Sequence, residues 1–205
     1  LLPKDRSYSH ANVRDVQWTD GKLKVAAEIY SDINGVTKEI HLYTFDLKSQ
    51  ELIEDRLISS VNDEKSPNSS VMVLTEDGDI GATKELLIEE TMWKRVPYRE
   101  GFRDEKANRQ LILYNYETDK QRSIEKPEFQ FDLVSLNDSI IYFMKRTENG
   151  LEIHPYDIER SNYLNAQILP VEMPSKISEE NGIEFPVVTI KNGRIYLMSP
   201  YKDAQ

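Results

Sequence analysis

The sequence predicts an all-β fold built from repeated four-stranded antiparallel units, and three observations carry that prediction. Turn pairs recur at nearly even intervals: Asp20-Gly21, Asp77-Gly78, Asn137-Asp138 and Asn192-Gly193 have second residues 57, 60 and 55 positions apart. Each pair joins two short apolar runs rich in β-branched and aromatic residues, which suit a pleated, half-buried surface. No unit contains a long run with helical periodicity. A constant interval of this length is the signature of a repeat architecture.

The first unit is the clearest. Val13, Val16 and Trp18 lead into Asp20-Gly21, and Leu23, Val25, Ala27 and Ile29 follow with a period of two. An Asp-Gly connection suits the left-handed dihedrals of a tight hairpin turn. The second unit reads Val71-Met72-Val73-Leu74, a polar connection, then Leu86-Leu87-Ile88. The third reads Phe129, Phe131, Leu133 and Leu136, then Ile140 to Met144; the fourth reads Val187 to Ile190, then Ile195 to Met198. A third strand follows each of the first three hairpins: Leu42-Tyr43-Thr44-Phe45-Asp46, Leu113-Tyr114-Asn115-Tyr116-Glu117 and Ile153-His154-Pro155-Tyr156-Asp157. The shared pattern is an aliphatic residue, two variable positions, an aromatic and an acid. A weaker fourth strand is predicted around Leu52-Ile53, Ser123-Ile124 and Gln167-Leu169. The chain is therefore expected to form one all-β repeat domain over 1–205, with units at about 13–62, 70–126 and 129–171 and a partial one at 183–201.

This order of strands and the Leu-Tyr-x-aromatic-acid segment resemble the blades of TolB-like and WD40-like β-propeller proteins, over about residues 13–198. The Gly-His and Trp-Asp dipeptides of WD40 blades are absent, as is the Ser-x-Asp-x-Gly-x-Thr-Trp box of sialidase-type propellers. The resemblance implies the architecture and transfers no functional residue. Propellers have four to eight blades, and three units plus one hairpin fall short of that. The expectation is an incomplete propeller: a fragment of a longer one, a ring whose last blade residues 1–12 help to complete, or an open stack of sheets. Open edges favour pairing with another chain.

Composition narrows the partners. The chain has 205 residues, a net charge of −10 and no cysteine. The charge argues against nucleic acid, which needs a basic face, and against an anionic membrane surface. Without cysteine there are no disulfides and no thiolate metal sites. No apolar run reaches the length of a membrane span, so no membrane insertion is expected. The expected location is extracytoplasmic or cell-surface, in a bacterial protein, with the cytoplasm as the alternative.

The repeat breaks in the second unit. From Trp93 to Arg109 there are six basic residues against three acids, a charge of +3 in a chain whose remainder is −13. Insertions on a rigid scaffold are where binding usually resides, and arginine beside aromatic residues is the composition of interface anchors. Trp93, Lys94, Arg95, Tyr98, Arg99, Phe102 and Arg103 are the candidate binding residues. The competing structural expectation is a long loop that folds back, its arginines answering the protein's own acids.

Other constellations are weaker. His10, His41 and His154 are far apart in sequence, and His154 aligns with Tyr43 and Tyr114, which favours packing. No Gly-x-Ser-x-Gly elbow marks a nucleophile. Asp77-Gly78-Asp79-Ile80-Gly81 and Asp32-Ile33-Asn34-Gly35 have the acid and glycine content of calcium loops, but aspartate and glycine also simply build turns. Asp46, Glu117 and Asp157 read as turn formers accepting backbone N–H bonds. No catalytic residue, metal or cofactor is expected. The functional expectation is a non-catalytic binding or interaction domain for a protein or anionic ligand, as part of a larger protein. The alternatives are a glycan-processing enzyme and a structural module pairing through its sheet edges.

Overall fold

The computed structural model describes residues 8–31, 37–61, 68–74, 84–99, 101–137, 139–170, 187–191 and 194–198. Among these residues every regular element is a strand. The chain forms two compact units, Leu1–Lys126 and Pro127–Gln205.

The first unit contains two four-stranded antiparallel meanders. β1 (Tyr8–Thr19), β2 (Lys22–Ser31), β3 (Thr37–Asp46) and β4 (Leu52–Ser60) form one sheet in that order. β5 (Ser70–Val73), β6 (Glu85–Tyr98), β7 (Gly101–Asn115) and β8 (Lys120–Ile124) form the other. Thr19 pairs with Lys22 around Asp20 and Gly21, whose φ values of 48° and 75° are the left-handed dihedrals that a two-residue hairpin turn requires. Alternation places Ala26, Ile40, Leu42 and Ile58 of the first sheet against Val71, Val73, Leu86, Ile88, Ile112 and Tyr114 of the second, as one buried cluster. The opposite side of the first sheet carries Ala27, Ile29 and Tyr43, with Val25 and Phe45 packed beside them.

Polar ties cross between these two sheets. Lys24 Nζ donates to the Tyr116 carbonyl at 2.6 Å, and Tyr116 Oη donates to Asp15 at 2.8 Å. Ser59 donates to Glu90 at 2.6 Å, and Lys38 Nζ to the Ser69 carbonyl at 2.5 Å.

The second unit repeats the meander with β9 (Leu133–Asn137), β10 (Ile140–Thr147) and β11 (Gly150–Asp157). Its fourth strand is split into β12 (Asn162–Tyr163) and β13 (Gln167–Leu169), both paired with β11. The break falls beside Pro155, whose carbonyl accepts the Leu164 N–H at 2.8 Å but which has no N–H to return. A further hairpin, β14 (Val187–Lys191) with β15 (Arg194–Met198), places Ile195 against the Met144, Leu151 and Ile153 cluster.

Three sequence readings are adjusted. Asn137 pairs with Ile140, so Asn137 closes the strand rather than opening the turn. The fourth strand of the first repeat, β4, is longer than expected, running over nine residues. The third strand of the second repeat, β7, aligns two residues earlier than expected. Asp46 Oδ1 accepts the N–H groups of Lys48 and Ser49, Asn115 Oδ1 accepts those of Glu117 and Thr118, and Asp157 Oδ1 accepts that of Arg160. Four residues after each, Gln50, Asp119 and Ser161 have φ of 61°, 54° and 55°. Asn115, rather than Glu117, is thus the counterpart of Asp46 and Asp157. A glutamate side chain is one methylene too long for this short backbone bond, whereas asparagine has the reach of aspartate. His154 then shares its position with Tyr43 and Ile112 rather than with Tyr114.

Candidate functional site

The basic segment of the second repeat is not a loop. It is the continuation of β6 and β7 beyond the sheet to which they belong. β5 accompanies β6 only as far as the pair Ser70–Thr91, and β8 accompanies β7 only as far as Leu111–Ile124. Beyond those pairs, β6 and β7 remain paired from Met92–Asn108 to Tyr98–Gly101, in unbroken register from Trp93–Lys106 onward. No third strand flanks them among the described residues.

The ribbon is fixed at its base. The ladder shifts register between Met92 and Trp93, and the Trp93 N–H donates to Ser69 Oγ at 2.9 Å. Ser69 is fully buried at the end of the segment joining the two sheets, and its carbonyl also holds Lys38. Below it, the Arg109 guanidinium is bound bidentately by the buried Glu89 carboxylate, with Nη2 at 2.7 Å from Oε2, and Thr91 donates to the same carboxylate at 2.9 Å. At the tip a two-residue connection links Tyr98 to Gly101, and Arg99 takes a φ of 51°. Pro97 is tolerated because it pairs with Phe102 one step back from the closing Tyr98–Gly101 pair, a non-hydrogen-bonded position where its missing donor points away from the partner strand.

Alternation sorts the seven candidate residues. One face carries Trp93, Arg95 and Phe102, together with Lys106; the other carries Lys94, Tyr98 and Arg103, together with Glu105. The sequence treats them as one group, and the structure divides them between two faces. Each face contains an arginine over an aromatic ring: Arg95 lies 5.6 Å from the Phe102 centroid, and Arg103 lies 4.7 Å from that of Tyr98. Arg99 lies 5.2 Å from the Tyr98 ring, on the turn. These rings are open to solvent, with Phe102 67% exposed and Tyr98 43%. Arg103 also pairs with Glu105. Lys106 is held below the ordinary lysine range by partial burial and then by repulsion from Arg109, against the attraction of Glu89. Arg109, counted in the sequence among the cations of this segment, is committed to Glu89 and serves the fold.

A second polar constellation lies on the first sheet, where sequence reasoning found nothing. His41 Nδ1 is 2.6 Å from Asp55 Oδ1, and its Nε2 is 3.0 Å from Glu39 Oε2. The ring stacks at 5.8 Å on Tyr43. Both ring nitrogens are occupied by carboxylates and the histidine is buried, so the ring has no nitrogen left to act on a substrate. Register joins these groups: His41 is two residues from Glu39, and Tyr43 pairs with Asp55 across β3 and β4. Spacing of two along a strand predicts the first contact, but the second depends on a pairing across strands. His154 stacks on Phe129 at 3.8 Å and lies 3.0 Å from Glu152. His10 stacks on Tyr30 at 4.3 Å.

Among the described residues, no group of three or more His, Cys, Asp or Glu is arranged to hold a metal ion. The Asp77–Gly81 and Asp32–Gly35 segments lie outside the described residues. Among the described residues no helix is long and apolar enough to cross a membrane.

The sheets define an all-β protein of four-stranded antiparallel repeats like the blades of a β-propeller. Among solved structures, the chain is similar to the β-propeller domain of the Trilobed protease from Pyrococcus furiosus, described as having an open velcro topology. The two share 11% identity with a TM-score of 0.39, over 93% of this chain and 57% of the other. This chain thus spans little more than half the length of that structure. No family model and no curated protein sequence matches the chain.

Proposed function

We propose that this chain is a non-catalytic, propeller-like binding domain that takes an anionic partner on the β6–β7 ribbon. The observation that carries the reading is the ribbon itself: two strands continue past their sheet and display arginine–aromatic pairs to solvent on both faces. A hairpin needed only to close its sheet would end near Met92 and Gln110, where the neighbouring strands stop. The local charge of +3, set on a body of −13, supports a contact limited to the ribbon, because a long polyanion would meet repulsion beyond it.

The test uses three probes: a short glutamate-rich peptide, a sulfated oligosaccharide and inorganic phosphate. Binding is followed by calorimetry for the native chain and for a variant carrying Trp93→Ala, Arg95→Ala and Arg99→Ala. The expected result is binding of at least one probe that weakens tenfold or more in the variant and with rising salt, with little change in melting temperature. Equal binding by both proteins overturns the proposal.

A further inference from the structure

We infer that the partner is a short, extended acidic peptide segment, and that Glu105 is an internal competitor occupying its place on Arg103. The inference rests on the reading of the ribbon as an anion site. On one face of the ribbon, Tyr98, Arg103 and Glu105 follow one another, with Lys94 directly across the strands from Glu105. Arg103 is oriented twice, by its guanidinium over the Tyr98 ring at 4.7 Å and by its ion pair with Glu105. A guanidinium held over a ring face keeps its planar N–H fork available to take a carboxylate in two parallel hydrogen bonds.

The anion that the structure places on Arg103 is a carboxylate. Both members of the pair are about half exposed, 54% for Arg103 and 47% for Glu105, so the pair is of the weak kind that a ligand can displace. The spacing favours a peptide. Same-face positions on a strand recur about every 7 Å, and alternate side chains of an extended peptide recur at the same interval. Arg103 and Lys94 are diagonal neighbours across β7 and β6, about 7–8 Å apart, so acidic side chains two apart would meet them in step as Glu105 swings aside. The opposite face repeats the device with Arg95 over Phe102.

The experiment measures binding of an alternating Glu-Ser octapeptide at about 0.05 M and 0.15 M salt to the native chain and to Glu105→Gln, Arg103→Ala, Arg103→Lys and the Arg103→Ala/Glu105→Gln double variant. Glu105→Gln should bind about two- to fivefold more tightly, the range in which exposed ion pairs act. Arg103→Ala and Arg103→Lys should both bind more weakly, since lysine restores the charge but not the fork. The gain from Glu105→Gln should vanish when Arg103 is absent, a coupling that a general field effect does not produce. A gain that survives in the double variant, or no gain at all, overturns the competitor role. Binding of a sulfated oligosaccharide with none of the peptide overturns the acidic-peptide inference while leaving the anion site standing. No binding of peptide, oligosaccharide or phosphate overturns both.

Discussion

The carboxylate of Glu28, which has no exposed surface, accepts the backbone N–H of Val73 at 2.7 Å and so ties β2 of the first sheet to β5 of the second. Its other oxygen accepts from Arg14 Nε at 2.7 Å and from Tyr30 Oη at 2.9 Å. Partial burial lowers the basicity of Arg14, but the hydrogen bond and charge of Glu28 outweigh it and hold the guanidinium above its ordinary range. A buried acid is tolerated here because each of its oxygens is satisfied.

Glu28→Ala should therefore destabilise the first unit by about 2–4 kcal/mol, since it leaves a buried N–H and part of a cation without a partner. Glu28→Gln keeps an acceptor toward Val73 and should cost less. Urea unfolding followed by fluorescence gives both values. A Glu28→Ala protein within about 0.5 kcal/mol of the native one would show that the tie contributes nothing.

Acid should weaken the contact between the two sheets of the first unit. Asp119 accepts from Tyr114 Oη at 2.7 Å and lies 3.1 Å from Lys24 and 3.3 Å from Arg56. Burial raises its pKa, but these partners more than reverse that and hold the carboxyl below its ordinary 3.8. The same contact pushes the Tyr114 hydroxyl well up, through burial first and then through its bond to Asp119. With the folded pKa depressed, the unfolded chain binds more protons near pH 4, so the contribution is complete above the ordinary value and is lost as pH falls through the folded one. Asp46, lowered by bonds from Ser49 and Lys48, works in the same direction. Asp119→Asn should flatten the fall in urea midpoint between about pH 5 and pH 2; an unchanged acid limb would remove Asp119 from the account.

Gly21 is under a backbone constraint alone. Its φ is 75°, and a Cβ placed there would meet nothing within 4 Å. Gly21→Ala should cost about 1–2 kcal/mol, the left-handed penalty for a residue with a Cβ. Gly101, also with open space around a Cβ and without a positive φ, should accept alanine with much less loss. Equal losses at the two positions in thermal unfolding would contradict the turn assignment.

The base and the tip of the ribbon should separate cleanly. Arg109→Ala leaves the buried Glu89 without its bidentate partner and should cost about 3–5 kcal/mol. Phe102→Ala, at a largely exposed position, should change stability by about 0.5 kcal/mol or less. Paired melting curves test this, and a tip substitution as damaging as the one at the base would mean that the ribbon tip packs against structure.

The repeats were legible because period-two alternation and turn residues are local properties of the chain. Val13 to Ile29 shows both, and β1 and β2 follow it closely. The alignment of the second repeat is ambiguous in the sequence for a local reason as well. Leu-Tyr-x-Tyr-Glu matches Leu-Tyr-x-Phe-Asp by residue type, yet the side chain that caps the turn is Asn115. Choosing between the two alignments requires knowing which oxygen reaches the Glu117 and Thr118 N–H groups.

By itself the sequence determined the strands, their antiparallel order within each repeat, and the concentration of cations and aromatic rings between Trp93 and Arg109. Tertiary structure alone decided that this segment is a ribbon, that it has two faces, and that Arg109 belongs to the core. Alternation fixes sides only once the strand partner is known, and the ladder from Thr91–Arg109 to Tyr98–Gly101 turns where Arg99-Glu100 carries no turn signal in the sequence. The same limit hid His41 between Glu39 and Asp55 and hid Glu28 against Val73. The His41–Asp55 contact joins two strands and the Glu28–Val73 contact two sheets, and no local pattern records that proximity.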